Sequence, residues 1–277
     1  MQHKFAFFGT PDVAKQTLAT LIEHGFVPAV VITNPDAPKG RGLTLTPSPV
    51  KEWALAHNLP VLTPETLDTE ALAGVQAHGC EYAVVVAYGK IFPEMFIDAF
   101  LKGVLNVHYS LLPKYRGATP MEAALKNGDA VTGVTVQKMV RELDAGDILA
   151  QIELPIAVSE TARELRPRLI EAGAKLLVET LPAFERGEIV PIAQDATRVT
   201  RAGKFKKEDG KLDVSALGPQ NWNTYRAYAD TIGTHFFTEK GTRLKITHAS
   251  LSPSGDFVIE RVIPEGKREL PYADFKE

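Results

Sequence analysis

Residues 4–33 read KFAFFGTPDVAKQTLATLIEHGFVPAVVIT. The apolar run over 4–8 predicts a buried strand. Gly9-Thr10-Pro11-Asp12 predicts a sharp turn, with Pro11 in the first turn of a following helix. Val13, Thr17, Leu18, Leu21 and Ile22 recur at helical spacing, and Gly25 is placed to stop that helix. Residues 27–33 predict a second strand. Strand, helix and strand in so short a span imply an α/β fold with a parallel, Rossmann-like sheet. A Gly-x-Gly-x-x-Gly fingerprint is missing after the first strand, which argues against a nicotinamide-dependent dehydrogenase.

Further along, residues 34–49 read as a long loop, punctuated by Pro35, Pro38, Gly40, Gly42, Pro47 and Pro49; loops this long inside a compact domain are usually functional or disordered. Helices are expected over 50–57, 66–78, 91–101, 121–126 and 161–185. Strands are expected over 82–87, at 103–105, over 132–139 and over 148–155. The expected division is a catalytic domain at 1–187, a Pro- and Gly-punctuated linker at 188–203, and a small β domain at 204–277. His235-Phe236-Phe237, Leu244-Lys245-Ile246 and Phe257-Val258-Ile259 give that last segment its alternating character.

The 277 residues suffice for one large α/β domain and a small second one. A formal charge of −3 supplies no general basic field, so contact with nucleic acid would rest on local groups. Cys80 is the single cysteine, which excludes an internal disulfide, and no Cys/His cluster has the spacing of a zinc site. This fits a reducing cytoplasm. The first apolar run ends too soon, at Gly9, for a signal peptide, and nothing approaches a membrane span. A monomer is the default expectation.

Residues 106–117 read NVHYSLLPKYRG. Asn106 and His108 stand two apart at a strand end, so both side chains project to one face. The chain then breaks at Pro113 and Gly117, and strand ends of open α/β sheets are where ligands bind. A carboxamide donor beside an imidazole suits acyl transfer to an amine. One group stabilises the oxyanion and the other accepts a proton near neutral pH.

This stretch resembles the signature of the folate-dependent formyltransferases: Asn-x-His-x-Ser-Leu-Leu-Pro, then an aromatic residue, Arg and Gly. Leu143-Asp144-Ala145-Gly146-Asp147 resembles the same family's Asp-containing loop. The resemblance implies a catalytic group of Asn106, His108 and Asp144 and no metal. It also implies transfer of a formyl group from 10-formyltetrahydrofolate to a primary amine. Tyr88, Gly89, Lys90 and Ile91 resemble the segment lining the pterin pocket. Ser110, Leu111, Leu112 and Pro113 resemble the folate-contacting turn. Val140 and Glu142 belong to the loop expected to close over the pterin.

Two acceptor classes occur in the family: the methionine on initiator tRNA, and amino sugars on nucleotides. Residues 33–51, with Gly40-Arg41-Gly42 and Pro47-Ser48-Pro49-Val50-Lys51, resemble the tRNA-directed enzymes, so methionyl-initiator tRNA is the expected partner. Lys39 and Arg41 on this Gly-rich tip can meet phosphate or an unpaired base. Lys204 and Lys207 resemble a basic segment of the same enzymes, where phosphate contacts would be salt-sensitive. The alternatives are a sugar-nucleotide formyltransferase and an RNA-binding protein without activity. The Arg41 loop argues against the first, and the intact Asn106, His108 and Asp144 argue against the second. Beyond Asp213 the likeness thins, and a shortened, OB-like β-barrel that helps hold tRNA is expected.

Overall fold

The computed structural model describes residues 3–40, 42–215 and 219–276. In chain order the elements begin β1 (Phe5–Gly9), α1 (Asp12–Glu23), β2 (Val30–Ile32), β3 (Ala37–Lys39), β4 (Thr44–Thr46), α2 (Pro49–Ala56) and β5 (Val61–Leu62). They continue with α3 (Thr69–Gln76), β6 (Tyr82–Val86), α4 (Glu94–Asp98), β7 (Gly103–His108), β8 (Arg116–Gly117), α5 (Pro120–Asn127) and β9 (Val131–Lys138). Next come β10 (Ile148–Pro155), α6 (Ala162–Glu185), β11 (Arg201–Ala202) and α7 (Pro219–Tyr228). The chain closes with β12 (Thr234–Phe237), β13 (Arg243–Leu251), β14 (Phe257–Pro264) and β15 (Leu270–Pro271).

The expected sheet is present, with seven strands in the order β10-β9-β7-β6-β1-β2-β5. β1 runs parallel to β2 and β6, β2 to β5, and β6 to β7, whereas β9 runs antiparallel to β7. From β1 the chain builds outward to β2 and β5, then crosses back to β6 on the other side. The strand order therefore reverses at β1 and β6, and the crevice beyond the carboxyl ends at such a reversal is the usual ligand site. β1 and β6 are buried at every position. Covered on both faces, such strands write unbroken apolar runs into the sequence.

Phe8 is the hub of one core cluster. Its ring packs edge-on against Tyr88, Phe92 and Phe96 at centroid distances of 5.5, 4.8 and 6.3 Å. Such pairs contribute roughly 0.5–1.5 kcal/mol each beyond burial. This cluster explains why the segment at 91–101 departs from the expected helix. Phe92, Phe96 and Phe100 have helical spacing and are all buried. Pro93, however, disfavours the helical region for the residue before it, so the helix begins only at Glu94, with Pro93 as its cap, and it ends at Asp98.

Other elements also depart from expectation. Pro11 caps α1 from outside rather than standing in its first turn. The loop at 34–49 contains the β3–β4 hairpin, pairing Ala37 with Thr46 and Lys39 with Thr44. Its residues are mostly exposed, so no apolar face announced it. α7 lies within the segment expected to be a small β domain. Trp222 and Tyr225, three apart, give its inward face and join Leu212, Phe236, Leu244, Ile246 and Val262 in a separate core.

The chain forms two compact units. One comprises residues 1–113, 133–152 and 169–199, and the other comprises 114–132, 153–168 and 200–277. The partition does not follow the boundaries expected at 187 and 203, because distant segments are tied together inside the second unit. Arg116 N donates to Thr200 O at 2.9 Å, and β8 pairs with β11. Trp222 Nε1 donates to Val158 O at 2.7 Å, and Arg226 donates to the carbonyls of Ala157 and Val158. The C-terminal β structure is a four-stranded antiparallel sheet ordered β12-β13-β14-β15. Among the described residues, no helix is long and apolar enough to cross a membrane.

Candidate active site

Asn106 and His108 lie at the carboxyl end of β7, paired across to Gln137 and Thr135 of β9. Cross-strand partners share a face, so these four side chains project together. The segment at 132–137 is buried throughout. Thr135 and Gln137 therefore face the site rather than solvent.

Asp144 comes to this strand end from the loop between β9 and β10. His108 Nδ1 and Asp144 Oδ2 are 3.7 Å apart, with side chains only 6% and 10% exposed. That exceeds a direct hydrogen bond but admits strong charge support for a protonated ring in a water-poor setting. Gln137 Nε2 donates to the other carboxylate oxygen of Asp144 at 3.0 Å. Gln137 Oε1 is buried with no hydrogen-bond partner among the described residues. Gln194 Nε2 donates to the carbonyls of Asp144 at 2.8 Å and Gly146 at 2.7 Å.

The turn after β7 is held by one hydroxyl. Thr135 Oγ1 donates to Ser110 O at 2.7 Å and accepts from Leu112 N at 3.1 Å and Gln151 Nε2 at 2.9 Å. Gln151 Nε2 also donates to Leu112 O at 2.8 Å. Ser110, Leu112 and Pro113 are buried, and Leu111 is partly exposed.

Among the other expected donor-site residues, Tyr88 places its ring in the core, 2% exposed, and burial pushes its phenol up to about 12. Its carbonyl accepts from Thr10 Oγ1 at 3.1 Å and Asn34 Nδ2 at 3.2 Å. The ring of Tyr88 therefore serves the core, and its carbonyl ties Thr10 and Asn34 to this strand end. Gly89 is exposed with a φ of 85°, a conformation that costs glycine nothing. Lys90 Nζ is taken up by the carbonyls of Pro64 and Glu65 at 2.7 and 2.6 Å. Ile91, Val140 and Leu143 are 92%, 45% and 62% exposed. Their two segments adjoin, since Arg141 Nη1 lies 3.4 Å from Glu94 Oε2. Glu142 is exposed on the same loop. These apolar side chains beside open backbone fit a flat heterocyclic ligand rich in donors and acceptors.

Of the expected acceptor residues, Lys39 is exposed at the end of β3, while Arg41 lies outside the described residues. Lys204 and Lys207 are exposed in the second unit. Among the described residues, no cluster of His, Cys, Asp or Glu could hold a metal ion. Sequence reasoning missed Thr135, Gln137, Gln151 and Gln194. For Thr135 and Gln137 a signal existed: polar side chains alternating with valines along β9.

Comparison with known proteins shows which family the chain falls in. The formyl transferase family model matches residues 3–181. The methionyl-tRNA formyltransferase of Koribacter versatilis is 40% identical over 292 residues, covering 97% of this chain and 93% of its own length. That of Bdellovibrio bacteriovorus is 41% identical over 256 residues, covering 91% and 80%. Among solved structures, the N-formyltransferase of Helicobacter canadensis in complex with folinic acid and dTDP-3-aminofucose superposes with a TM-score of 0.71. It is 19% identical and covers 91% of this chain and 88% of its own. At that identity the likeness speaks for the fold alone.

Proposed function

This chain belongs to the formyl transferase family, and on that premise we propose that it carries the formyl group of 10-formyltetrahydrofolate to the amine of methionyl-initiator tRNA. The observation that carries the chemistry is the approach of Asp144 to His108 beside Asn106 on one strand end. As the amine attacks the formyl carbon, Asn106 donates to the oxygen that gains negative charge. An interaction of this kind is worth on the order of 3 kcal/mol. His108 accepts the proton lost by the nitrogen, and Asp144 supports the resulting imidazolium. Collapse of the adduct breaks the bond to N10 of the folate, which leaves with a proton.

The donor is held by the turn of Ser110, Leu111, Leu112 and Pro113, by the backbone at Tyr88 and Gly89 with Ile91, and by the loop of Val140 and Glu142. Lys90 contributes by fixing the turn at Pro64 and Glu65. The acceptor is met by Lys39 on the hairpin, by Arg41, and by Lys204 and Lys207. The C-terminal sheet serves tRNA binding. The test is to supply 10-formyltetrahydrofolate with either charged initiator tRNA or an amino-sugar nucleotide. Formyl-methionyl-tRNA is the expected product, and formylation of the sugar alone would overturn the acceptor assignment.

A further inference from the structure

The loop that presents Asp144 is closed at its neck. Lys138 N donates to Asp147 O at 2.9 Å. Gly146 passes so close to Lys138 that a Cβ there would sit 1.7 Å from its carbonyl oxygen. Beyond the neck, the tip at 140–143 is exposed. Asp144 stands between neck and tip in the left-handed region, with a φ of 53°. A non-glycine residue stays there only when its surroundings hold it.

Gln194 supplies that hold from outside every motif. Its Nε2 donates to the carbonyls on either side of Ala145, at 2.8 Å to Asp144 and 2.7 Å to Gly146. A primary amide nitrogen has two hydrogens, so one group can serve both bonds. The segment bearing Gln194 is anchored two residues earlier, because Ile192 and Ile148 exchange backbone hydrogen bonds of 2.8 and 2.9 Å. The neighbours Ala193 and Asp195 are exposed, and Gln194 is only partly buried, so core packing does not account for the residue.

The geometry points to Gln194 as a positioning residue for formyl transfer. It braces the left-handed backbone at Asp144 and so keeps that carboxylate turned toward His108. This rests on the reading of Asp144 as the partner of His108.

Gln194→Met keeps the side-chain length and removes both donors, whereas Gln194→Glu sets a carboxylate against two carbonyls. For Gln194→Met, kcat should fall about tenfold to a hundredfold, the scale set by a small misplacement of a reacting group. KM for donor and acceptor should stay within about twofold, and Gln194→Glu should be slower still. Gln194→Asn, one methylene shorter, should fall between wild type and Gln194→Met. If Gln194 acts through Asp144, adding Gln194→Met to Asp144→Ala should cost no further rate.

In the free protein, the imidazole nitrogen resonances of His108 should move in Gln194→Met in the same sense as in Asp144→Ala. A kcat within about twofold of wild type in folded Gln194→Met would overturn the proposal. An equal loss with and without Asp144 would also overturn it, as would unmoved His108 resonances. If the wild-type protein transfers no formyl group, the functional reading fails, and the His108 spectra still decide the brace.

Discussion

Two parts of the first unit differ sharply in how they are held. Around β7 every expected catalytic group lies against a hydrogen-bonded frame. His108 is 5% exposed and Thr135 is fully buried. Gln137 and Gln194 grip Asp144 from two sides. The β3–β4 hairpin is the opposite. Leu43 and Leu45 are 71% and 67% exposed, Lys39 points into solvent, and an ion pair of 2.7 Å between Lys51 and Asp36 ties down its base. On the proposed function, the contrast separates two tasks. Chemistry demands groups fixed before the substrate arrives, since reorganising them during the reaction raises the barrier. A surface that meets a large polyanion can be ordered by that partner, at a cost in affinity but with freedom to conform.

The largest effect should come from the framed region. His108→Ala or Asn106→Ala should lower kcat by on the order of a hundredfold or more with the thermal transition unchanged. Near wild-type transfer in a folded preparation would remove the residue from the chemistry. A middle effect tests the frame itself. Thr135→Val keeps the shape and strands the partners of its hydroxyl, at roughly 1–3 kcal/mol for each buried group left unpaired. Calorimetry should show a clear drop in Tm for Thr135→Val and little for Thr135→Ser; equal behaviour would mean the turn holds without the hydroxyl. The smallest effect belongs to the hairpin. Lys39→Ala should raise KM for charged tRNA severalfold, leave KM for the folate donor alone, and reduce the salt slope of tRNA binding by about one contact. A changed donor KM would erase the distinction between the two regions.

Much of the fold was readable because buried parallel strands leave unbroken apolar runs, as at 5–8 and 82–86. The long helix α6 likewise repeats its apolar face over Ala162–Glu185. Asn106 and His108 were readable because two residues of strand put them on one face. Three things escaped. The β3–β4 hairpin has no buried face to set a period. α7 carries its helical signal in Trp222 and Tyr225, but it precedes short alternating runs that gave the whole segment a β character. The braces on Asp144 are glutamines, and a carboxamide reveals its role only through the partner it reaches. Gln194 reaches a residue fifty positions away in the chain. The same nonlocality hid the grouping of 114–132 and 153–168 with the C-terminal segments.

Gly146 carries an unusual kind of constraint. Many glycines in this chain have positive φ, where an L-residue is strained but space is open, as at Gly40 and Gly187. Gly146 is the reverse: its backbone is one that any residue could adopt, and its missing Cβ is already occupied by a neighbouring carbonyl. Alanine is therefore as unwelcome as tryptophan there. A library randomised at that codon and selected for growth should return a single letter, although the position never touches the reacting atoms.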